Sequence, residues 1–161
     1  MKNKIALLYS NKTPLVDAMV YQLSSFDLDL FEKTPINADS YNLVICLDKN
    51  FEGKYKGLAC HHSLLPAFNS PEPVYDAIVA GAKVTGITIY YTEPFKIIAQ
   101  YPLIINNSAH FDEIETQLSY LEQIIFPLVA EKYAKNEPFE ISDLLKSHSC
   151  KGACSSCSGC N

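Results

Sequence analysis

The sequence contains no arginine, so all 13 of its positively charged residues are lysines, against 18 acidic residues. Lysine is a point charge, and the chain therefore has no planar guanidinium that could grip a phosphate or carboxylate with two parallel hydrogen bonds. The formal net charge is −5, without a basic stripe that could neutralise a phosphate backbone. We therefore expect no nucleic-acid partner, and any anionic ligand must use lysine, backbone amides or a helix N-terminus.

The sequence also lacks a long apolar run. No stretch approaches the roughly 20 residues that cross a bilayer, and the run Ile5–Tyr9 is too short for the core of a signal peptide. We expect a cytoplasmic protein without a membrane partner, whose cysteines stay reduced unless they hold metal or do redox work. With 161 residues, of which 48% are hydrophobic, the chain has the size and apolar content of one compact domain.

Apolar runs alternate with helical patterns, which predicts an α/β fold. The predicted strands are Lys4–Tyr9, Phe26–Lys33, Tyr41–Leu47, Gly57–Cys60, Val84–Tyr91 and Lys96–Ile105. The predicted helices run from Pro14 to about Ser24, from Ser70 to Gly81, and from Phe111 to Lys135 with a kink at Pro127. We expect a single three-layer, Rossmann-like domain with a mostly parallel sheet over residues 1–137. A short amphipathic segment (138–149) and a cysteine-rich tail (150–161) follow.

Four of the six cysteines lie in the last dozen residues and are separated by Gly, Ser, Ala and one Lys. They are Cys150, Cys154, Cys157 and Cys160. Small spacers let the chain wrap so that several thiolates reach one centre, as a tetrahedral zinc site or an iron–sulfur cluster requires. The spacing permits either metal. The alternatives are a mobile thiol-rich tail that binds metal only adventitiously and a disulfide-forming redox segment.

The segment Cys-His-His-Ser-Leu-Leu-Pro at residues 60–66 follows a predicted strand. A titratable group in this position lies at the carboxyl edge of a parallel sheet, where α/β proteins generally place ligands. His61 and His62 are therefore the best candidates for an active site. The alternative is that these histidines only satisfy backbone groups of the loop.

These residues resemble the folate-dependent formyltransferases, whose signature is Asn-x-His-Pro-Ser-Leu-Leu-Pro. The matching positions are His61 and Ser63–Pro66, then Asp76–Gly81, Thr85–Ile89, Ile97–Gln100, Glu122 and Phe126–Val129. The resemblance spans roughly residues 42–134. It implies the formyltransferase fold and the transfer of a formyl group from 10-formyltetrahydrofolate to an amine, with a small-molecule substrate.

The resemblance also implies roles for single residues. His61 would polarise the formyl group and move protons, and Glu93, counted back from Gln100, takes the position of the family's catalytic Asp. Ala59 stands where the family has an Asn, and the loss of one such hydrogen-bond donor typically costs about a hundredfold or more in rate. His62, at the proline position of the motif, is a candidate substitute. A glutamate beside a partly buried histidine raises the histidine's pKa toward the working range.

Three loops differ from the family pattern, and one of them, the loop before Glu93, is trimmed. The family's glycine-containing phosphate loop is replaced by residues 10–13, in which Lys12 and Thr13, at a helix N-terminus, are the candidate anion-binding residues. The connection from Leu47 to Ala59 is short, which removes much of the segment that lines the family's folate pocket.

Two functions therefore remain open. The first is a formyltransferase of weakened or altered activity. The second is a catalytically inactive binding module whose tail holds an iron–sulfur cluster or zinc for sensing, delivery or docking of a protein partner.

Truncation of the chain before Ser149 tests whether the tail is a separable metal-binding device. We expect the truncated protein to lose bound metal, because it loses all four tail cysteines, and to keep its fold and any transferase activity. Metal analysis, circular dichroism and a formyl-transfer assay on both forms measure these properties. Metal retained by the truncated protein would contradict the prediction.

Overall fold

The computed structural model describes residues 3–51, 53–106 and 110–140. The strands are β1 (Lys4–Tyr9), β2 (Asp27–Glu32), β3 (Leu43–Cys46), β4 (Leu58–His61), β5 (Val84–Tyr91) and β6 (Lys96–Ile104). The helices are α1 (Pro14–Gln22), α2 (Pro73–Val79) and α3 (Phe111–Ala134), and a 3-10 turn covers Ala38–Ser40. The predicted bounds of β1 and β5 are confirmed, and the other predicted elements are present with ends shifted by up to three residues.

The strands form one mixed sheet in the order β2-β1-β3-β4-β5-β6. Strands β1 to β4 are parallel, whereas β5 runs antiparallel to both β4 and β6. Only residues 92–95 connect β5 to β6, and a parallel pair would need a crossover of about a dozen residues or more. The sheet is therefore mixed: three of its five strand pairs are parallel, and the hairpin of β5 and β6 adds the two antiparallel pairs.

All three helices pack on the same face of the sheet. Their buried side chains form one apolar core with Ile5 and Leu7 of β1 and with Ile87 and Ile89 of β5. The opposite face, which carries Ala6, Leu8 and the other alternate residues of the strands, has a smaller core covered by residues of loops 33–41 and 48–56. The described part of the chain thus has a single helix layer.

The prediction of three layers is wrong for this part of the chain, and the reason is the length of two connections. Residues 33–42 join β2 to β3 and residues 47–57 join β3 to β4, and each segment is shorter than the dozen or more residues that a helical crossover needs. Ile36 of the first segment and Phe51 and Tyr55 of the second pack on the sheet in place of a helix.

The described residues end at Glu140, so the predicted segment 138–149 is described only over its first three residues, and the predicted cysteine tail lies outside the described residues. Phe139 packs against the larger core. Among the described residues, no helix is long and apolar enough to cross a membrane.

Gly86 of β5 lies where the loop after β4 presses on the hairpin. A Cβ atom at this position would lie 2.2 Å from the carbonyl oxygen of Tyr101 and 2.6 Å from Cδ2 of Leu64. The first of these neighbours is backbone in the paired strand β6 and cannot move without disturbing the ladder. The missing side chain thus lets Leu64 pack against β5.

Gly86→Ala is therefore expected to lower the free energy of unfolding by roughly 1–3 kcal/mol, the usual cost of forcing extra atoms into a packed site. Urea unfolding measures this change. Val84→Thr is the matched control, because Val84 lies two residues away in β5 and is 45% exposed. The control should change the free energy by less than about 0.5 kcal/mol. Equal effects of the two substitutions would contradict the proposed crowding at Gly86.

Candidate functional site

The loop that carries the two histidines is tied to β5 and β6 by a buried hydroxyl. Thr88, which is fully buried, donates a hydrogen bond to the Ser63 carbonyl (2.6 Å) and accepts one from the Leu65 amide (3.0 Å). The side-chain amide of Gln100 donates to the Thr88 hydroxyl (3.0 Å) and to the Leu65 carbonyl (2.9 Å). These bonds fix the loop just after β4 and thereby the direction of the histidine that follows the strand.

His62 points toward α3, between two carboxylates. Its Nε2 lies 3.0 Å from Oε2 of Glu122, and its Nδ1 lies 3.4 Å from Oε2 of Glu115. The side chains of His62 and Glu122 are only 19% and 15% exposed, whereas Glu115 is 36% exposed. Glu122 therefore makes the shorter and more protected contact, and Glu115 stands at the solvent side.

The environment of His62 raises its pKa above the ordinary value of 6.5. Burial by itself lowers the pKa, because it disfavours the charged ring. The hydrogen bond and negative charge of Glu122, reinforced by Glu115, outweigh this effect. A ring held in this way keeps its proton to a higher pH than a free imidazole does.

The environment of His61 has the opposite effect and lowers its pKa. It is only 6% exposed, and its Nε2 donates a hydrogen bond to the carbonyl of Phe68 at 3.3 Å. Burial lowers the pKa of His61, and the bond to Phe68 offsets this effect only in part. The pKa values of these two adjacent histidines are therefore shifted in opposite directions.

A cavity of about 650 Å³ opens at the carboxyl edge of β3 and β4. His62, Glu122 and Glu115 form part of its wall, whereas His61 does not. The remaining lining residues are Leu47, Asp48, Lys49, Cys60, Pro71, Glu72, Pro73, Tyr75 and Phe111. The cavity thus combines four carboxylates, one lysine and an apolar wall, and is large enough for a small-molecule substrate.

The structure does not bring Glu93 to His61. Strand β5 runs antiparallel to β4, so that His61 pairs with Thr88 while Leu58, at the other end of β4, pairs with Tyr91. Glu93 follows Tyr91 and thus lies beyond the Leu58 end, about 10 Å of strand away from His61. Its carboxylate is 71% exposed and lies 3.4 Å from the ammonium of Lys56.

The predicted pairing of Glu93 with His61 is therefore wrong, and the cause is the trimmed hairpin. A connection of residues 92–95 turns at once into β6 and cannot fold back along β4. The glutamate that raises a histidine's pKa in this site is Glu122, and the histidine is His62.

The candidate anion-binding residues Lys12 and Thr13 lie at the start of α1. The ammonium of Lys12 is 3.3 Å from the carboxylate of Asp17, in the first turn of the helix. The carbonyl of Thr13 accepts the first backbone bonds of α1, from Val16 and Asp17. Thr13 also lines a second cavity, of about 200 Å³. The only ion pair described for Lys12 is thus with a carboxylate of its own helix.

The sequence model of the formyl transferase family matches residues 40–130, more than half of the chain. The match includes the loop of both histidines, the β5–β6 hairpin and α3 as far as Ala130. The chain belongs to the formyl transferase family. The resemblance drawn from residues 60–66 is thereby confirmed.

Two curated formyltransferases are similar to this family member in sequence. A phosphoribosylglycinamide formyltransferase of Bacillus subtilis is 32% identical over 130 residues, which is 77% of this chain and 63% of the relative. A methionyl-tRNA formyltransferase of Chloroflexus aurantiacus is 33% identical over 84 residues, which is 50% of this chain and 27% of the relative. The chain thus spans less than two thirds of the length of either relative.

Solved structures with the formyl transferase fold resemble the chain over most of its length. A phosphoribosylglycinamide formyltransferase from Bacillus halodurans superposes with a TM-score of 0.64 at 21% identity, covering 85% of this chain and all of that chain. A formyltetrahydrofolate deformylase from Pseudomonas syringae superposes with a TM-score of 0.66 at 12% identity, covering 84% of this chain and 62% of that chain. At these identities the likeness concerns the fold.

The predicted metal ligands of this formyl transferase family member are not among the described residues. Cys150, Cys154, Cys157 and Cys160 all lie beyond Glu140. Within residues 3–51, 53–106 and 110–140, no group of three or more His, Cys, Asp or Glu side chains could hold a metal ion. A zinc or iron–sulfur site thus stays a prediction from the tail sequence.

Sequence reasoning missed Glu115 and Asp48 and assigned Glu122 no role. Glu115 and Glu122 are seven residues apart in α3, and this spacing places two side chains on the same helix face. That spacing is the signal from which the pair could have been found. Asp48, by contrast, follows β3 in a loop with no motif, and its position near the first loop emerges only from the parallel pairing of β1 with β3.

Glu122→Gln is expected to lower the pKa of His62, since it removes the nearer of the two negative charges. Titration of the histidine ring protons by NMR measures this pKa. Glu131→Gln is the matched control on the same helix, because Glu131 bonds to Gln22 and Lys135 and not to His62. An unchanged pKa of His62 in Glu122→Gln would contradict the assignment.

The raised pKa of His62 also gives stability a pH dependence. A histidine whose pKa is higher in the folded state contributes stability that is complete below its unfolded pKa of about 6.5 and is lost as the pH rises through the folded value. The pKa of His61 is lowered in the folded state, so His61 makes the protein less stable as the pH falls below about 6.5. Urea unfolding should therefore show wild-type stability falling above about pH 6.5. His62→Gln should remove the fall in stability above about pH 6.5 and leave the dependence below that pH unchanged.

Proposed function

We propose that the chain transfers a formyl group from a formyl-tetrahydrofolate-type donor to an amine, with His62 as the proton-transfer residue. The observation that carries this proposal is the position of His62 in the wall of the 650 Å³ cavity, 3.0 Å from Glu122. Membership of the formyl transferase family supports formyl chemistry. The similar proteins named above act, by their names, on formyl groups.

The reaction proceeds in two stages. The lone pair of the amine nitrogen attacks the formyl carbon, a carbon–nitrogen bond forms, and the carbonyl oxygen becomes an oxyanion. The amine loses a proton to a base, the bond between the formyl carbon and the donor nitrogen breaks, and this nitrogen takes up a proton. The products are a formamide and tetrahydrofolate. A single group that accepts the first proton and returns the second serves both stages.

The two ring nitrogens of His62 divide this work. Nε2 makes the shorter contact, with the more buried Glu122, and this bond orients the ring. Nδ1 makes the 3.4 Å contact with the more exposed Glu115, which an incoming amine can displace at smaller cost. We therefore assign proton transfer to Nδ1 and positioning of the ring to Glu122.

The proposed site lacks the donor that the family's asparagine supplies. Ala59, in the position of this asparagine, has no polar side-chain atom. It is completely buried among Ala6, Val44 and other apolar residues on the face of the sheet that lacks helices, and it does not line the cavity of His62. One missing donor of this kind costs about a hundredfold or more in rate. We propose an activity weaker than that of a formyl transferase with asparagine in this position.

A second proposal is a binding module in which transfer is lost. The burial of Ala59 and the position of Glu93, beyond the far end of β4, favour it. In this case the tail, with Cys150, Cys154, Cys157 and Cys160 around zinc or an iron–sulfur cluster, carries the function by docking a protein partner.

An assay of tetrahydrofolate release from 10-formyltetrahydrofolate with a panel of amines separates the two proposals. We expect slow release, and a loss of about a hundredfold or more in His62→Gln, which removes general acid–base catalysis. His61→Gln is the matched comparison in the same loop, and circular dichroism verifies the fold of both variants. Loss only in His61→Gln would return the catalytic role to His61. Release that His62→Gln leaves undiminished would overturn the proposed mechanism, and no release with any amine favours the binding module.

The pH dependence of the rate gives a second readout. His62 must be neutral to accept a proton, so kcat/KM should rise with pH along a limb centred above pH 6.5, the ordinary histidine value from which the pKa of His62 is raised. Glu122→Gln should move this limb to lower pH. A limb that does not move would exclude His62 as the titrating group.

A further inference from the structure

We infer that the cavity beside His62 accepts a cationic amine that carries no phosphate, and that Asp48 sets this selectivity. The inference rests on the proposed function, because it names the class of acceptor that the transfer would use. The sequence predicted an anion site in the loop of residues 10–13, which precedes α1.

Asp48 occupies the first backbone donor of this loop. One carboxylate oxygen accepts the amide of Ser10 at 2.7 Å, and the other accepts the amide of Asn50 at 3.0 Å. The side-chain amide of Asn50 in turn donates to the Ser10 hydroxyl at 3.2 Å. An amide bonded to a carboxylate this closely is not available to a phosphate oxygen. The chain has thus placed its own anion at the amide where a ligand's anion would bind.

Asp48 also lies between the two cavities. It lines both the larger cavity, which contains His62, and the 200 Å³ cavity, which is formed by residues of the first loop. A phosphate attached to an acceptor in the larger cavity would reach the first loop only past this carboxylate. Because the carboxylate is fixed by two backbone amides, it cannot turn away, and like charges so close together repel strongly.

The nearby cations do not compensate for Asp48. The ammonium of Lys12 faces Asp17, and Lys12 does not line either cavity. Lys49 lines the larger cavity, where its ammonium donates to the carbonyl of Pro71 at 2.7 Å. Even when the ring of His62 is protonated, four carboxylates in the cavity wall outnumber the two cations, Lys49 and His62. The four carboxylates are those of Asp48, Glu72, Glu115 and Glu122. The field inside the cavity therefore attracts an ammonium group and repels a phosphate.

The shape of the cavity agrees with an amine of moderate size. Leu47, Tyr75 and Phe111 give it an apolar wall on which the body of the ligand can lie, and the carboxylates are at the side of His62. An amine drawn to Glu115 would arrive at Nδ1 of His62, which is the nitrogen assigned to proton transfer. Selection of a cation and its deprotonation thus occur at neighbouring groups.

Glucosamine and glucosamine 6-phosphate test the inference, since the two probes share one amine and differ only in the phosphate. Each is titrated into the full-length protein, and the NMR shifts of the His62 ring and of the loop amides report binding. We expect glucosamine to bind at least about tenfold more tightly than its phosphate, as repulsion between like charges requires. Equal or tighter binding of the phosphate, or no binding of either probe, would overturn the inference.

Asp48→Asn is expected to reduce the preference for glucosamine by about tenfold, because it removes the charge and keeps the size of the side chain. Asp39→Asn, at an exposed carboxylate of the 3-10 turn, is the matched control and should leave the preference unchanged. If Asp48→Asn impairs folding, the preference of the wild-type protein is measured at rising salt concentration, because salt screens a repulsion between like charges and should reduce the preference. A preference that neither Asp48→Asn nor, where that variant does not fold, added salt reduces would exclude Asp48 as its source.

These binding measurements need neither donor nor catalysis. If glucosamine binds selectively and no formyl transfer is detected, the proposed function fails while the selectivity stands. If transfer is found with a phosphorylated amine, the selectivity fails while the proposed function stands.

Discussion

The hydroxyl of Thr88 is the interaction on which the site depends. It takes part in three hydrogen bonds, with Ser63, Leu65 and Gln100, and it is completely buried. A buried hydroxyl with all of its partners in place defines one arrangement, because any other leaves polar atoms without partners. Through this single group, β5 and β6 determine the course of the loop that β4 begins. The orientation of His62 is therefore a property of three strands together and not of its own segment.

The elements of the fold follow well from the sequence. The apolar runs of β1 and β5 give their bounds directly, and Pro14 marks the start of α1. The second helix begins at Pro73, three residues after the predicted Ser70. The number of layers does not follow from such local patterns, because it depends on whether a connection is long enough to cross the sheet. Residues 33–42 and residues 47–57 are each too few, so that loops lie where a second helix layer was expected.

The sequence predicted where the site lies but not which side chains contact each other in it. The motif at residues 60–66 located the loop, yet it could not tell which of two adjacent histidines faces the cavity, since neighbouring residues at a strand end point in different directions. Glu93 matched a family position by counting along the chain, but a shortened hairpin moved that position to the other end of β4. Glu122, the carboxylate that His62 meets, lies 60 residues further along the chain.

The two histidines show how one loop can shift the pKa values of adjacent rings in opposite directions. His61 meets a carbonyl in a buried position, which favours the neutral ring, and His62 meets carboxylates, which favour the charged ring. Environments that separate the pKa values of adjacent groups in this way are typical of acid–base sites.

Because helices cover only one face of the sheet, the two faces differ in their resistance to local opening. On one face, three helices and a large apolar core must be disrupted before the backbone becomes accessible to solvent, whereas on the other face a few side chains hold two loops in place. Amide hydrogens in such loops exchange through small openings that leave the rest of the fold intact. Asp48 begins one of these loops, and Glu122 lies in the middle of α3. The cavity thus lies between a loop on the less protected face and a helix that belongs to the larger core.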